Sequence, residues 1–203
     1  MTQSIKDIKP LSPLDKGLWA VIGLLLTISG VFIEVAIPFP PLRWPIDWSH
    51  IQTYSLGVTL QVGAVLLVGC MAGRNTAAIT QITYLVLGLS GLQIFAQGGG
   101  LGYLQEPTFG YLLGFLPGAA LCGYLAFQQR RQLDTLIMSC IWGLLVIHAI
   151  GLVYLTVLSI FRITTASWWD AVLQYSIFPL PGQFIIVCTV AVFAYFLRIL
   201  LMY

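Results

Sequence analysis

A chain of 203 residues that is 59% hydrophobic and 8% charged lacks the polar side chains to cover a water-facing surface, because soluble domains carry about 25% charged residues. That excludes a soluble globular domain. The formal net charge of +2 says little, its distribution says more, and nothing points to a nucleic-acid partner.

The apolar runs are helix-length, about 20 residues each, rather than the alternating segments of a barrel. The expected fold is therefore all-α: an integral membrane protein with a six-transmembrane-helix bundle, forming one membrane domain over residues 1–203.

Residues 1–16, with Lys6, Lys9 and Lys16, are expected to form a short cytoplasmic tail. Helix one is expected over 17–37, stopped by Pro38, Pro40 and Pro41, which cannot supply a helical N–H. Its length, and the lack of a small-residue cleavage site after it, argue for a retained helix rather than a signal peptide. Ala20, Gly23, Thr27 and Gly30 recur along one side of it, a stripe suited to close helix packing. Glu34 falls near its outer end, where a carboxylate reaches the interface.

Residues 39–56 read as a loop whose Trp44 and Trp48 lie at headgroup level beside Arg43, Asp47 and His50. Helix two is expected over 57–73, a turn at Arg74 and Asn75, and helix three over 76–95. Helix four, over 108–127, carries Pro117 as a kink. Helix five spans 133–161, a loop with Trp168, Trp169 and Asp170 follows, and helix six spans 183–203.

Lys6, Lys9, Lys16, Arg74, Arg130, Arg131 and Arg198 fall on the side of the termini, and only Arg43 and Arg162 on the other. The bias places both termini in the cytoplasm of a cell with this chain in its plasma or inner membrane. Gln61, Gln93, Gln97, Thr108, Tyr111 and Gln183 then gather near the outer helix ends. Polar groups are costly in hydrocarbon, so the gathering suggests an outward-facing pocket.

Between helices three and four lies AQGGGLGYLQEP, followed by Gly110, Gly114 and Gly118 at a four-residue spacing. Residues four apart share a helix face, so these glycines leave a bare stripe for a second backbone or a ligand. The loop is not a nucleotide cradle, since it joins two membrane spans and has no lysine. Its N–H groups at Gly98, Gly99 and Gly100 suit an anionic group such as a carboxylate, and a tight turn accounts for the same glycines.

His148, midway along helix five, has no second histidine, cysteine pair or carboxylate at ligand spacing and is read as a neutral, hydrogen-bonded packing residue. Cys70, Cys122, Cys140 and Cys188 form no CxxC pair and are read as small buried apolar residues, with no metal site expected. Paired carboxylates, HExxH and GxSxG are absent, so no enzyme and no cofactor is expected.

Gly57 through Val62, the run Tyr84 to Leu92, and the stretch from Phe95 through Pro107-Thr108-Phe109-Gly110-Tyr111 to Phe115 resemble the BioY family, the biotin-specific substrate-binding (S) components of energy-coupling-factor (ECF) transporters. The resemblance implies a six-helix S component that takes up biotin from outside and docks on a coupling transmembrane protein driven by two ATPase subunits. It implies docking through the helix-one stripe, with Ala20, Gly23 and Thr27. Candidate biotin partners are Gln61, Gln97, Thr108 and Gln183, the N–H groups of Gly98 to Gly100, and Tyr84 and Tyr111 at family motif positions. The family's last helix opens Pro-Gly-Asp with a lysine three residues on; this chain has Pro181-Gly182-Gln183 and Ile186. Gln183 can hydrogen-bond a ureido ring, whereas Ile186 cannot meet a carboxylate. A different vitamin-like solute and a membrane scaffold that binds no solute are the other readings.

Overall fold

The computed structural model describes residues 12–39, 52–128, 132–161 and 167–201. Arg43, Trp44, Asp47, Trp48, His50, Arg130, Arg131 and Arg162 lie outside them.

Helix α1 spans Pro13–Gly30, starting four residues before the expected Gly17. A capping box sets that start: the Asp15 N–H donates to Ser12 Oγ (3.1 Å) and the Ser12 N–H to the Asp15 carboxylate (3.2 Å). The helix stops at Gly30, not residue 37, and the chain continues as a strand. β1 (Glu34–Phe39) pairs antiparallel with β2 (Gln52–Thr59), Ile37 opposite Tyr54 and Glu34 opposite Thr59, with a slip between Glu34 and Ala36. The all-α expectation is corrected to a helical bundle carrying one β-hairpin. Val31, Ile33, Val35 and Ile37 are β-branched, and Thr53, Ser55, Gly57 and Thr59 alternate with Tyr54, Leu56 and Val58, a period of two that belongs to a strand. Glu34 is accordingly a strand residue, and its carboxylate accepts a hydrogen bond from the Ser55 hydroxyl.

Helix α2 spans Gln61–Leu89 but is broken at Gly73, whose φ of 77° and ψ of 177° are not helical. Gln61 Nε2 donates to the Tyr84 hydroxyl at 2.7 Å, whereas a continuous helix would hold these residues about 35 Å apart. The two halves are therefore a hairpin turned at Gly73, the position the sequence marks as the end of helix two. The first half begins at Gln61 rather than Gly57, and the second ends at Leu89 rather than Phe95.

Helices α3 (Phe109–Ala126) and α4 (Leu133–Ile160) fall within one residue of the expected bounds. The expected loop before helix six is instead largely helical: α5 (Trp168–Val172), a π-helical turn over Leu173–Ile177, and α6 (Leu180–Leu200). Four helical stretches, Gln61–Leu89, Phe109–Ala126, Leu133–Ile160 and Trp168–Leu200, are long and apolar enough to cross a membrane. Outward positions such as Val21, Leu25, Val86, Trp142, Val153 and Phe196 are exposed, as lipid-facing side chains are.

Small residues set the helix spacing. A Cβ on Gly114 would lie 2.8 Å from the Ile147 carbonyl oxygen, and one on Gly118 2.9 Å from that of Gly143. The bare stripe of α3 thus receives the α4 backbone rather than a ligand. On α1, Gly23 lies against Val68, and Thr27 is fully buried, donating to the Gly23 carbonyl at 2.8 Å and accepting from Gln81 Nε2 at 3.4 Å. Gly23 and Thr27, expected on a partner-docking face with Ala20, therefore face inward onto α2, and Ala20 is half-buried. The outward face of α1 carries Leu18, Val21, Ile22 and Leu25. Arg198, counted among the loop charges, is also buried: its guanidinium donates to the Cys70 carbonyl (Nε, 2.9 Å) and the Ala126 carbonyl (Nη1, 2.8 Å) and covers the Phe127 ring.

Candidate ligand-binding site

The polar residues of the loop end form three small hydrogen-bonded groups. In the first, Gln61, at the start of α2, donates to Tyr84, whose hydroxyl donates to the Ile94 carbonyl at 3.2 Å. Both side chains are buried, and Gln61 is held in place by Gly30, whose absent side chain lets the two backbones meet. In the second, the Tyr103 hydroxyl bonds Thr108 Oγ1 at 3.1 Å, just before α3. Burial raises the Tyr103 phenol above its ordinary range, against the lowering effect of the Thr108 hydrogen bond, so this side chain is a neutral donor at physiological pH.

The third group is the densest. The Tyr111 hydroxyl bonds Ser176 Oγ at 2.6 Å, Ser176 Oγ bonds His148 Nδ1 at 3.2 Å, and His148 Nε2 bonds Gln183 Oε1 at 2.6 Å. It joins α3, the π-helical turn, α4 and α6. The Tyr111 and His148 rings meet edge to face, 5.5 Å between centroids. His148, expected to be hydrogen-bonded but left out of the candidate site, is the hub of this network, and Ser176, in the segment read as a loop, is its second member. No sequence spacing links residues 111, 148, 176 and 183, although a histidine mid-way along a membrane helix was itself a signal.

An aromatic row runs past the first two groups. Tyr84, Phe95, Tyr103, Phe109 and Tyr154 pack in succession with centroids 5.2, 4.7, 6.3 and 5.8 Å apart. Phe95 is buried over Gly88, where a Cβ would come within 2.0 Å of its ring. The glycine loop closes on the same support: the Gly100 N–H donates to the Gly88 carbonyl at 2.7 Å, and the Gly98 N–H to the Phe95 carbonyl at 3.2 Å. Gly98 and Gly100 have φ of 114° and 90°, a region other residues rarely enter. Two of the three N–H groups expected to meet an anion thus serve the loop itself. The Gln97 side chain is exposed on the loop.

On α6, Ile186 is buried, its methyl lying against Gly63, and Gly182 receives Val58 and Leu56 of β2. The hairpin therefore lies over the start of α6, next to Gln183. A cleft of about 350 Å³ lined by Leu125, Gln128, Asp134 and Trp142 among others sits at the other end of the bundle, between the end of α3 and the start of α4, and includes none of these residues.

This backbone arrangement matches the 2.1 Å crystal structure of the S-component for biotin from an ECF-type ABC transporter with a TM-score of 0.67, covering 93% of this chain and 95% of that one at 19% identity. The fold is thus that of a transporter S component. The BioY family profile matches residues 3–201, and the chain belongs to the BioY family. Similar proteins include a probable biotin transporter BioY of Lysinibacillus sphaericus, 34% identical over 70% of this chain and 66% of its own length. The biotin transporter BioY of Thermotoga maritima is 36% identical over 51% of this chain and 62% of its own. An uncharacterized 21.2 kDa protein of Cyanophora paradoxa is 28% identical over 89% of this chain and 93% of its own. The family is one of membrane transport components, so this chain is a membrane protein and not an enzyme.

Proposed function

We propose that this chain is the biotin-binding S component of an ECF-type uptake system. The observation that carries the reading is the family match across residues 3–201. Gln183 supplies the central polar contact: its Oε1 accepts from the His148 Nε2–H, which leaves its amide N–H groups to a ureido carbonyl. Tyr103 and Thr108 add a hydroxyl pair at the same end. The Gly99 N–H, which makes no backbone hydrogen bond among the described residues, is the loop's donor for the carboxylate. With α2 counted as two spans about Gly73, the bundle has six crossings, with both termini in the cytoplasm of a multi-pass protein in the plasma or inner membrane. The outward apolar face of α1 then meets a coupling transmembrane protein attached to two ATPase subunits, with Ala20 at the border of that face.

Calorimetry of the detergent-solubilised chain with biotin tests this reading. Saturable binding to the native chain, weakened about tenfold or more in Gln183→Ala through an unpaired polar group, is expected. Unchanged affinity in the variant rejects the site.

The resemblance also carries a second reading. Gln183 and Ile186 stand where it implies an aspartate and a lysine, and Ile186 is packed into the bundle against Gly63, so this chain offers no charge pair there. If another vitamin-like solute raises the melting temperature and biotin does not, the chain is an S component of different specificity. Silence across the whole panel leaves the scaffold.

A further inference from the structure

The four cysteines were expected to be small buried apolar side chains; Cys188 is half-buried, and the other three are buried and converge. Cys70 on the first half of α2, Cys122 on α3 and Cys140 on α4 are fully buried, with sulfur separations of 3.7 Å (Cys70 to Cys122), 3.4 Å (Cys70 to Cys140) and 3.9 Å (Cys122 to Cys140). From these three residues we infer a binding site for a thiophilic metal ion of the zinc and copper(I) class, at the end of the bundle opposite the solute site.

The geometry is that of a ligand face. The point equidistant from the three sulfurs lies about 2.1 Å from each, by the three separations, against a zinc–thiolate bond of about 2.3 Å. An ion at bonding distance sits slightly out of the sulfur plane, as in a tetrahedron with one open corner, whose ideal sulfur–sulfur edge is roughly 3.8 Å. Two glycines bring the helices close enough: a Cβ on Gly69 would lie 3.2 Å from Cys122 Sγ, and one on Gly143 3.1 Å from Cys122 Cβ. The Leu66 carbonyl oxygen, 3.6 Å from Cys122 Sγ, is an oxygen at the rim.

Charge also fits. Three thiolates around a divalent ion carry one net negative charge, which is costly in an apolar interior without a counter-charge. Arg198 supplies a buried positive charge on the Cys70 backbone. Softness of the ligands favours copper(I) and zinc over magnesium or calcium. On entry the metal forms three bonds to sulfur, each thiol gives up its proton to solvent, and no oxidant or reductant takes part.

The test uses the full chain, purified in detergent with a reducing agent. Metal analysis, and titration with cadmium followed through its thiolate charge-transfer absorption in the ultraviolet, should show near-stoichiometric metal and proton release. Cys122→Ser and Cys140→Ser should each weaken cadmium binding by at least about tenfold, whereas Cys188→Ser, a half-buried residue outside the cluster, should not. Thermal unfolding of each variant reports whether it folds. If the serine variants do not fold, thiol alkylation of the native chain during unfolding, with and without a chelator, decides: metal protects three thiols. A native chain that carries no metal, takes up no cadmium and alkylates alike with and without the chelator overturns the inference, and the three sulfurs are then apolar packing.

Discussion

Gln183 and Gly88 illustrate how much of this site rests on single positions. Gln183 is read from its place after Pro181 and Gly182, but its partner His148 comes from a helix 35 residues earlier, and only the bundle brings them together. His148→Phe keeps the ring and removes both nitrogen contacts, leaving Ser176 and Gln183 with fewer partners; solute affinity should fall by about tenfold, from a group left unpaired at about 1–3 kcal/mol, as calorimetry would record. Gly88 works by absence. A methyl there would meet the Phe95 ring at 2.0 Å, and that ring is clamped between Tyr84 and Tyr103. Overpacking of this kind costs roughly 1–3 kcal/mol, so Gly88→Ala should lower the melting temperature and weaken solute binding together. A variant with native stability would show that the loop can move aside.

Among the elements, the α2 hairpin and the end of α6 are the most exposed to substitution. Gly73 reaches its turn with φ of 77°, and a methyl there adds the backbone strain of a left-handed non-glycine residue, about 1–3 kcal/mol. Gly73→Ala should lower the melting temperature without changing affinity for the solute, because the turn lies at the other end of the bundle. Arg198→Leu strips a donor from each of two buried carbonyls, at about 1–3 kcal/mol apiece, and should cost more than any single surface change on α6. Thermal unfolding of the two variants side by side ranks them. The β-hairpin shows why element type was partly hidden. The run after Gly30 is as apolar as the helix before it, so hydropathy carried the helix on to residue 37, while the β-branched residues and the alternation in Gln52–Thr59 pointed to strands.

For the whole molecule, the two ends have opposite characters: one holds the loop, the hairpin and the polar groups, the other Gly73, the three cysteines and Arg198. If the first end faces outside, a membrane-impermeant maleimide should label Leu101→Cys on intact cells, in a Cys188→Ser background, and label Gln128→Cys only after permeabilisation. Both side chains are exposed, so the labelling difference reports sidedness. The reverse pattern would invert the orientation drawn from the lysine and arginine bias.

Membrane residence, helix length and the approximate bounds of α3 and α4 could be read from the linear chain, because hydrophobic burial and backbone hydrogen bonding act locally and leave a periodic trace. The residues that carry the family resemblance, Tyr84, Thr108 and Tyr111 among them, were equally visible. What could not be read is which helix each small residue faces. A glycine stripe announces close contact without naming the partner, so Gly23 and Gly114 looked available when α2 and α4 already occupied them. The convergence of Cys70, Cys122 and Cys140, and of Tyr111, His148, Ser176 and Gln183, joins residues separated by long stretches of chain. Such meetings depend on how helices cross in three dimensions, and a one-dimensional pattern holds no record of that crossing.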